Sequence, residues 1–245
     1  VCSSDLTDTG NDEFKFIKVG RLPSNIEKTD LWKLEAGLQL GREEIVKYGP
    51  MNELLKLEEA KMLEISNEEI VHVLYGFDDV KIIEAKLDIL ELIKKYLIHI
   101  GKPENFKLTE DKVEHFKELQ KIVRAYGSPK DGGVNLSPDE RIAIRNAVFC
   151  LINQGTPHMQ LRKIEKMIKR QLNDALDSIT SLVEDCESVG NVSISEDDLE
   201  DEEFNPIKVK FTNATDILDA DINKNQISEL LRKAVVNLDA IDYQS

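Results

Sequence analysis

Between Val80 and Ile100 the chain places charge at Lys81, Glu84, Asp88, Glu91 and Lys95, at three- and four-residue steps. Almost everything between those positions is apolar, including Ile83, Leu87, Leu90, Ile93 and Leu97. This spacing gathers the polar groups into one narrow stripe of a helix and leaves a broad apolar arc. A helix with so little wet surface belongs near the centre of a bundle. Ile83, Leu87, Leu90 and Leu97 are therefore predicted in the core, with Glu84, Asp88 and Glu91 outside.

Start and stop signals divide the rest into helices. Ser24-Asn-Ile-Glu27 and Ser66-Asn-Glu-Glu69 have capping-box spacing, in which the Ser side chain accepts a first-turn amide and the Glu reaches back. The first box opens a helix carrying Ile26, Leu31, Leu34 and Leu38 and ending near Gly41. A short helix through Ile45 and Val46 precedes Pro50. That proline suits the first turn of a helix bearing Leu54, Leu55, Leu57 and Leu63. Thr109–Tyr126 reads as an amphipathic helix, and Ser137-Pro-Asp-Glu140 starts another that reaches about Asn153. Thr156-Pro157 opens a last long helix, predicted to continue to about Glu184.

Two segments read as short strands. Phe14–Val19 mixes aromatic and β-branched residues before Gly20, and Ile207-Lys-Val-Lys-Phe211 alternates with period two. Seven of the eight residues in Glu196–Glu203 are acidic, and such a block repels itself and resists packing. The predicted organisation is a tail over 1–13, a helical domain with a leading strand over 14–186, an acidic linker over 187–205 and a small strand–helix segment over 206–245. The predicted fold class is mainly α, a helical bundle with two short β-strands.

Composition narrows the function. Apolar residues at 41% supply a core, while a net charge of −15 argues against a general nucleic-acid surface. No run approaches the ~18 apolar residues of a membrane span. Cys150 lies in the apolar run Ala147–Ile152 and reads as a small buried hydrophobe. With only Cys186 and Cys2 besides, no disulfide framework or zinc site is expected, and a reducing, intracellular setting is predicted; the expected location is host cytoplasm or virion.

Candidate chemistry is sparse. Asp219-Ala-Asp221-Ile-Asn223-Lys-Asn225 alternates oxygen donors as a calcium loop does, but Lys224 replaces the turn glycine and Leu230 the bidentate glutamate. Capping by Asn223 explains it better. His72, His99, His115 and His158 fall on different elements, with His99 suited to a helix C-terminus and His115 to a solvated face. Gly127–Gly133 lacks the phosphate-loop pattern. No catalytic residue, cofactor or metal site is predicted. One basic patch stands out, formed by Arg162, Lys163, Lys166, Lys169 and Arg170 on one helix. It reads either as a contact to nucleic acid or an acidic partner, or as a solvated face answering the acidic block. The solvated face is preferred.

Val1-Cys-Ser-Ser-Asp-Leu6 fits the codons GTG TGC TCT TCC GAT CTN, which look like the end of a sequencing-adapter oligonucleotide, so these residues are expected to be a technical scar inside a longer reading frame. Downstream, a strand ends in Arg21-Leu22-Pro23 and Ser24–Glu27 begins a helix. Gly37-Leu-Gln-Leu-Gly41, Arg42-Glu43-Glu44 and, after a proline-containing gap, Leu57-Glu58-Glu59-Ala60 follow. In this order of features Phe14–Glu69 resembles the C-terminal region of the portal proteins of tailed bacteriophages, with Gly41 where many relatives have Ser. The resemblance implies an upstream ring body at one capsid vertex, through which DNA passes, with 70–185 an extension at the ring's outer face. It carries over no functional residue. The leading expectation is a non-enzymatic structural or assembly protein, a portal or DNA-packaging component. The alternatives are an intracellular helical adaptor, or the accessory domain of an enzyme truncated upstream. Expected partners are other protein chains, including a second copy. DNA contact is not expected of the fragment alone, and membrane contact is not expected at all.

Overall fold

The computed structural model describes residues 22–40, 49–74, 79–126, 136–189 and 205–242. The expectations for 1–6, for the strand at 14–19, for the short helix at 45–46, for the glycine loop at 127–133 and for the acidic run at 196–203 lie outside them. The described residues are helical: α1 (Lys28–Leu40), α2 (Pro50–Met62), α3 (Asn67–Val73), α4 (Val80–His99), α5 (Val113–Ala125), α6 (Pro138–Asn153), α7 (His158–Lys169), α8 (Asn173–Thr180), α9 (Leu182–Val189) and α10 (Pro206–Asp242), with a 3-10 turn at Phe106–Thr109. They contain no strand.

The start signals act as their chemistry dictates. Ser66 and Ser137 each accept from the amide three residues on, and Glu69 and Glu140 reach back to the Ser backbone amides. Pro50 and Pro138 occupy first-turn positions where the missing N–H costs nothing. The box at Ser24 does not form. The chain turns there instead (the Ile26 amide donates to Pro23 O), and α1 begins at Lys28.

α4 is the spine. Its charged stripe at Lys81, Glu84, Asp88, Glu91 and Lys95 is exposed, Ile83, Leu90, Ile93 and Leu97 are buried, and Leu87 is half-buried. Ile83 belongs to a smaller cluster with Trp32, Ala36, Leu57, Ala60, Ile65, Ile70 and Leu74. Leu90, Ile93 and Leu97 belong to a larger one built by α4 to α10 with Met51 and Leu54 of α2.

Three expectations are corrected. First, α1 buries Trp32 and Ala36 rather than Leu31, Leu34 and Leu38, which are exposed. The indole is the largest surface on the helix, and its N–H finds the Lys56 carbonyl 3.2 Å away, so it sets the rotation. Second, 207–211 is helical. Asn205 Oδ1 accepts from the Ile207 and Lys208 amides, Pro206 follows the cap, and Ile207, Phe211, Ala214 and Leu218 are buried at helical spacing while Val209 is exposed. The capped period of four prevails over the short alternation, and Asn223, expected as a cap, lies inside the same helix. The 206–245 segment thus enters as the first half of a helix inside the larger core.

Third, the helix expected from Pro157 to Glu184 is three helices. α7 stops because Gln171 takes a left-handed φ of 57°, its amide donating to Ile168 O and the Leu172 amide to Met167 O. This is a Schellman stop without its usual glycine. Breaking there folds α8 back onto α6 and α7 and gives α10 a surface to lie on.

Cysteine chemistry also differs from expectation. Cys150 is buried as predicted, but it forms a disulfide with Cys186, tying α6 to α9 across Cα atoms 6.2 Å apart. No described helix is long and apolar enough to cross a membrane.

Candidate functional site

The basic helix is amphipathic in a simple way. Leu161, Ile164, Met167 and Ile168 face the core, so the intervening cations are pushed to its outer sides. The structure does not gather them into a free stripe. Arg162 turns to α5 and places Nε and a terminal nitrogen each 3.0 Å from one carboxylate oxygen of Glu118. Lys163 and Arg170 reach α10, at 3.1 Å from Asp219 and 2.6 Å from Asp221. Lys169 pairs with Glu165 one turn back at 2.7 Å. Lys166 is exposed.

Glu118 is the best-placed acid of the group. It is 3% exposed, and Lys121 adds a second cation at 3.0 Å. A carboxylate that buried requires such partners, because an unpaired charge removed from water is costly. The basic helix therefore works inward, holding α5 on one flank and α10 on the other. Asp219 and Asp221, read in the sequence as calcium-like donors, are the acceptors on the α10 side. Their segment is helical throughout, so donors two residues apart point around the cylinder instead of converging on an ion.

Two histidines that the sequence left apart meet at the start of α7. His115 on α5 and His158 on α7 stack edge-to-face, 5.6 Å between centroids. His115 is half-buried, not solvated, and its Nε2 donates to Thr156 O at 3.1 Å. Its Nδ1 is buried without a partner. Burial pushes this imidazole below its ordinary value, with the charges of His158 and Lys112 acting the same way against the backbone contacts to Thr156 and Lys112. The folded state thus prefers neutral His115, whereas the unfolded chain binds that proton near pH ~6.5. Unfolding takes up a proton as pH falls below that value, so stability declines until the folded imidazole itself protonates. The melting temperature is expected to fall between pH 7 and 5, and His115→Gln, which can still donate to Thr156, should flatten that decline. An unchanged slope in the variant would remove His115 as the cause. Glu114 acts in a separate, lower window, because its hydrogen bond from Lys117 holds it below the usual carboxylate range.

Arg124, Arg141 and Arg145 border a groove floored by Leu92, Val123 and Tyr126. Each has an acceptor already: the Asp88 carboxylate, Leu136 O and Asn146 Oδ1. Among the described residues no three His, Cys, Asp or Glu side chains converge as a metal site.

What the α7 clamp fixes is the direction of α10. The root of that helix is held by Ile207, Phe211, Ala214 and Leu218 and by the pairs to Lys163 and Arg170. From Asn223 onward every residue with a described side chain is exposed. Ile227, Leu230, Leu231 and Val235 are 58, 66, 63 and 56% exposed. α10 thus leaves the body as an arm with large apolar side chains in water, a feature that the reading of Asn223–Leu238 as an amphipathic helix foreshadowed without its unpartnered state. No family model, curated protein or solved structure matches the chain.

Proposed function

We propose that this chain is a non-enzymatic assembly module that docks another protein chain along the outer half of α10. The observation that carries the reading is the row Ile227, Leu230, Leu231 and Val235, more than half exposed on a helix whose root is clamped to the body. Large exposed apolar surface rimmed by polar residues marks an interaction site. An amphipathic helix presented in this way is a recurring recognition element. Protein is favoured over DNA as the partner because four of the five cations in the basic patch are already paired with carboxylates. The portal-like order of features in Phe14–Glu69 favours a virion or DNA-packaging setting for the module. An intracellular adaptor would use the same arm.

Photo-crosslinking in cells expressing the full chain tests the docking. A photoreactive residue at Leu230 is expected to give one adduct of defined mass, lost when Leu231→Asp is added and absent when the probe sits at exposed Glu91. Equal labelling from Leu230 and Glu91, or none from either, would sink the reading.

A further inference from the structure

We infer that the chain docked on the α10 arm is a second copy of this protein, paired antiparallel over residues 223–242; the inference rests on the docking reading above. The first support is spacing. Ile227, Leu231 and Ala234 follow each other by four and three residues, and the sequence continues the alternation with Leu238 and Ile241. A repeat averaging 3.5 residues is the seam of a two-stranded coiled coil, and Leu230 and Val235 flank it. Such a seam is complementary to itself, so one two-fold operation pairs it with no second kind of surface.

The second support is charge. The chain carries −15, yet within 223–242 Lys224, Arg232 and Lys233 balance Glu229, Asp239 and Asp242. The arm is therefore neutral on an otherwise acidic molecule. It offers no net charge to select a foreign partner of either sign, and it is where two like-charged bodies can approach without repulsion.

Charge also decides orientation. A parallel pair sets the two acidic bodies side by side at the same end. An antiparallel pair holds them at opposite ends of an arm about 30 Å long, at ~1.5 Å per residue. That separation exceeds the screening length of about 8 Å in physiological salt, so the bodies no longer oppose pairing. Full antiparallel overlap of 223–242 also keeps the seam in register, setting Leu231 opposite Ala234 of the second copy.

Sedimentation equilibrium of the purified full chain tests the pairing. The mass is expected to rise from 27.8 kDa towards twice that value across the micromolar range. Ile227→Glu with Leu231→Glu should hold it at the single-chain mass while circular dichroism stays helical and unfolding stays cooperative, since both positions are exposed in one chain. For orientation, Leu231→Cys and Ala234→Cys chains, each in a Cys2→Ser background, are mixed and oxidised. Crosslinks between the two variants should outpace those within either. A wild-type chain that stays single at every concentration overturns the pairing, and faster crosslinking within each variant overturns the antiparallel arrangement. If purified chain stays single while the Leu230 probe still captures one partner in cells, self-pairing fails and docking survives. If the probe captures nothing, both fail.

Discussion

Phe116→Ala is expected to destabilise the fold by about 3–5 kcal/mol, the range for emptying a well-packed aromatic site. Phe116 is fully buried on α5, and its ring meets Tyr96 of α4 edge-to-face at 5.4 Å. Tyr96 in turn meets Phe149 of α6 at 5.5 Å. The three rings sit where α4, α5 and α6 share one core, and burial pushes the Tyr96 phenol up to about 12, a sign of how dry the site is. Removing the α5 ring leaves a void beside Tyr96 that the close-packed surroundings do not fill without side chains leaving their rotamers. Urea unfolding followed by circular dichroism measures the loss, with Phe116→Leu as a milder companion. A change below about 1 kcal/mol would mean that the site collapses freely and the ring cluster is not the keystone of the larger core.

Reduction of Cys150–Cys186 is expected to lower stability by about 2–4 kcal/mol. The two cysteines are 36 positions apart, and the enclosed chain carries α7, α8 and the start of α9. Without the bond, the unfolded chain regains the freedom of that loop, while the folded state keeps Leu182, Ile179 and Leu176 in place. Urea midpoints with and without a phosphine reductant supply the comparison. Cys150→Ala with Cys186→Ala should match the reduced protein and ignore the reductant. Identical midpoints in all samples would show that the link adds nothing to stability.

Much of the helical layout was legible because its signals are local. The Ser66 and Ser137 boxes, the first-turn prolines and the polar stripe of α4 each act within one or two turns, where the chain's own chemistry decides. The misses share the opposite property. Gln171 takes left-handed backbone at the end of α7 with no glycine to announce it. The local turn bonds there are joined by the packing of Leu172 against the larger core, which no sequence signal marks, so the expected helix ran on through Gln171. Ile207–Phe211 carries two periods at once, and the Asn205 cap together with the surface offered by α8 and α9 selects the helical one. On α1, three leucines outnumber one tryptophan, yet the indole wins because burial scales with area and its N–H reaches Lys56.

The basic patch shows the same division. Its five residues and their helix were visible, but their partners Glu118, Asp219 and Asp221 lie on α5 and α10, far along the chain. No pattern on α7 alone distinguishes a cation that meets a phosphate from one that clamps a neighbouring helix. The His115–His158 contact was hidden for the same reason, since it exists only once α5 and α7 pack.

The two hydrophobic clusters are unequal, and α4 runs through both. The smaller one joins α1, α2 and α3, helices of 13, 13 and 7 residues. Helices this short are marginal in water by themselves. α4 has 20 residues and enters the smaller cluster already committed, because Leu90, Ile93 and Leu97 anchor its second half elsewhere. The relation is one of host and guest. The larger core, to which α2 itself lends Met51 and Leu54, holds α4 in place, and Ile83 then offers a fixed wall on which α1 and α3 pack.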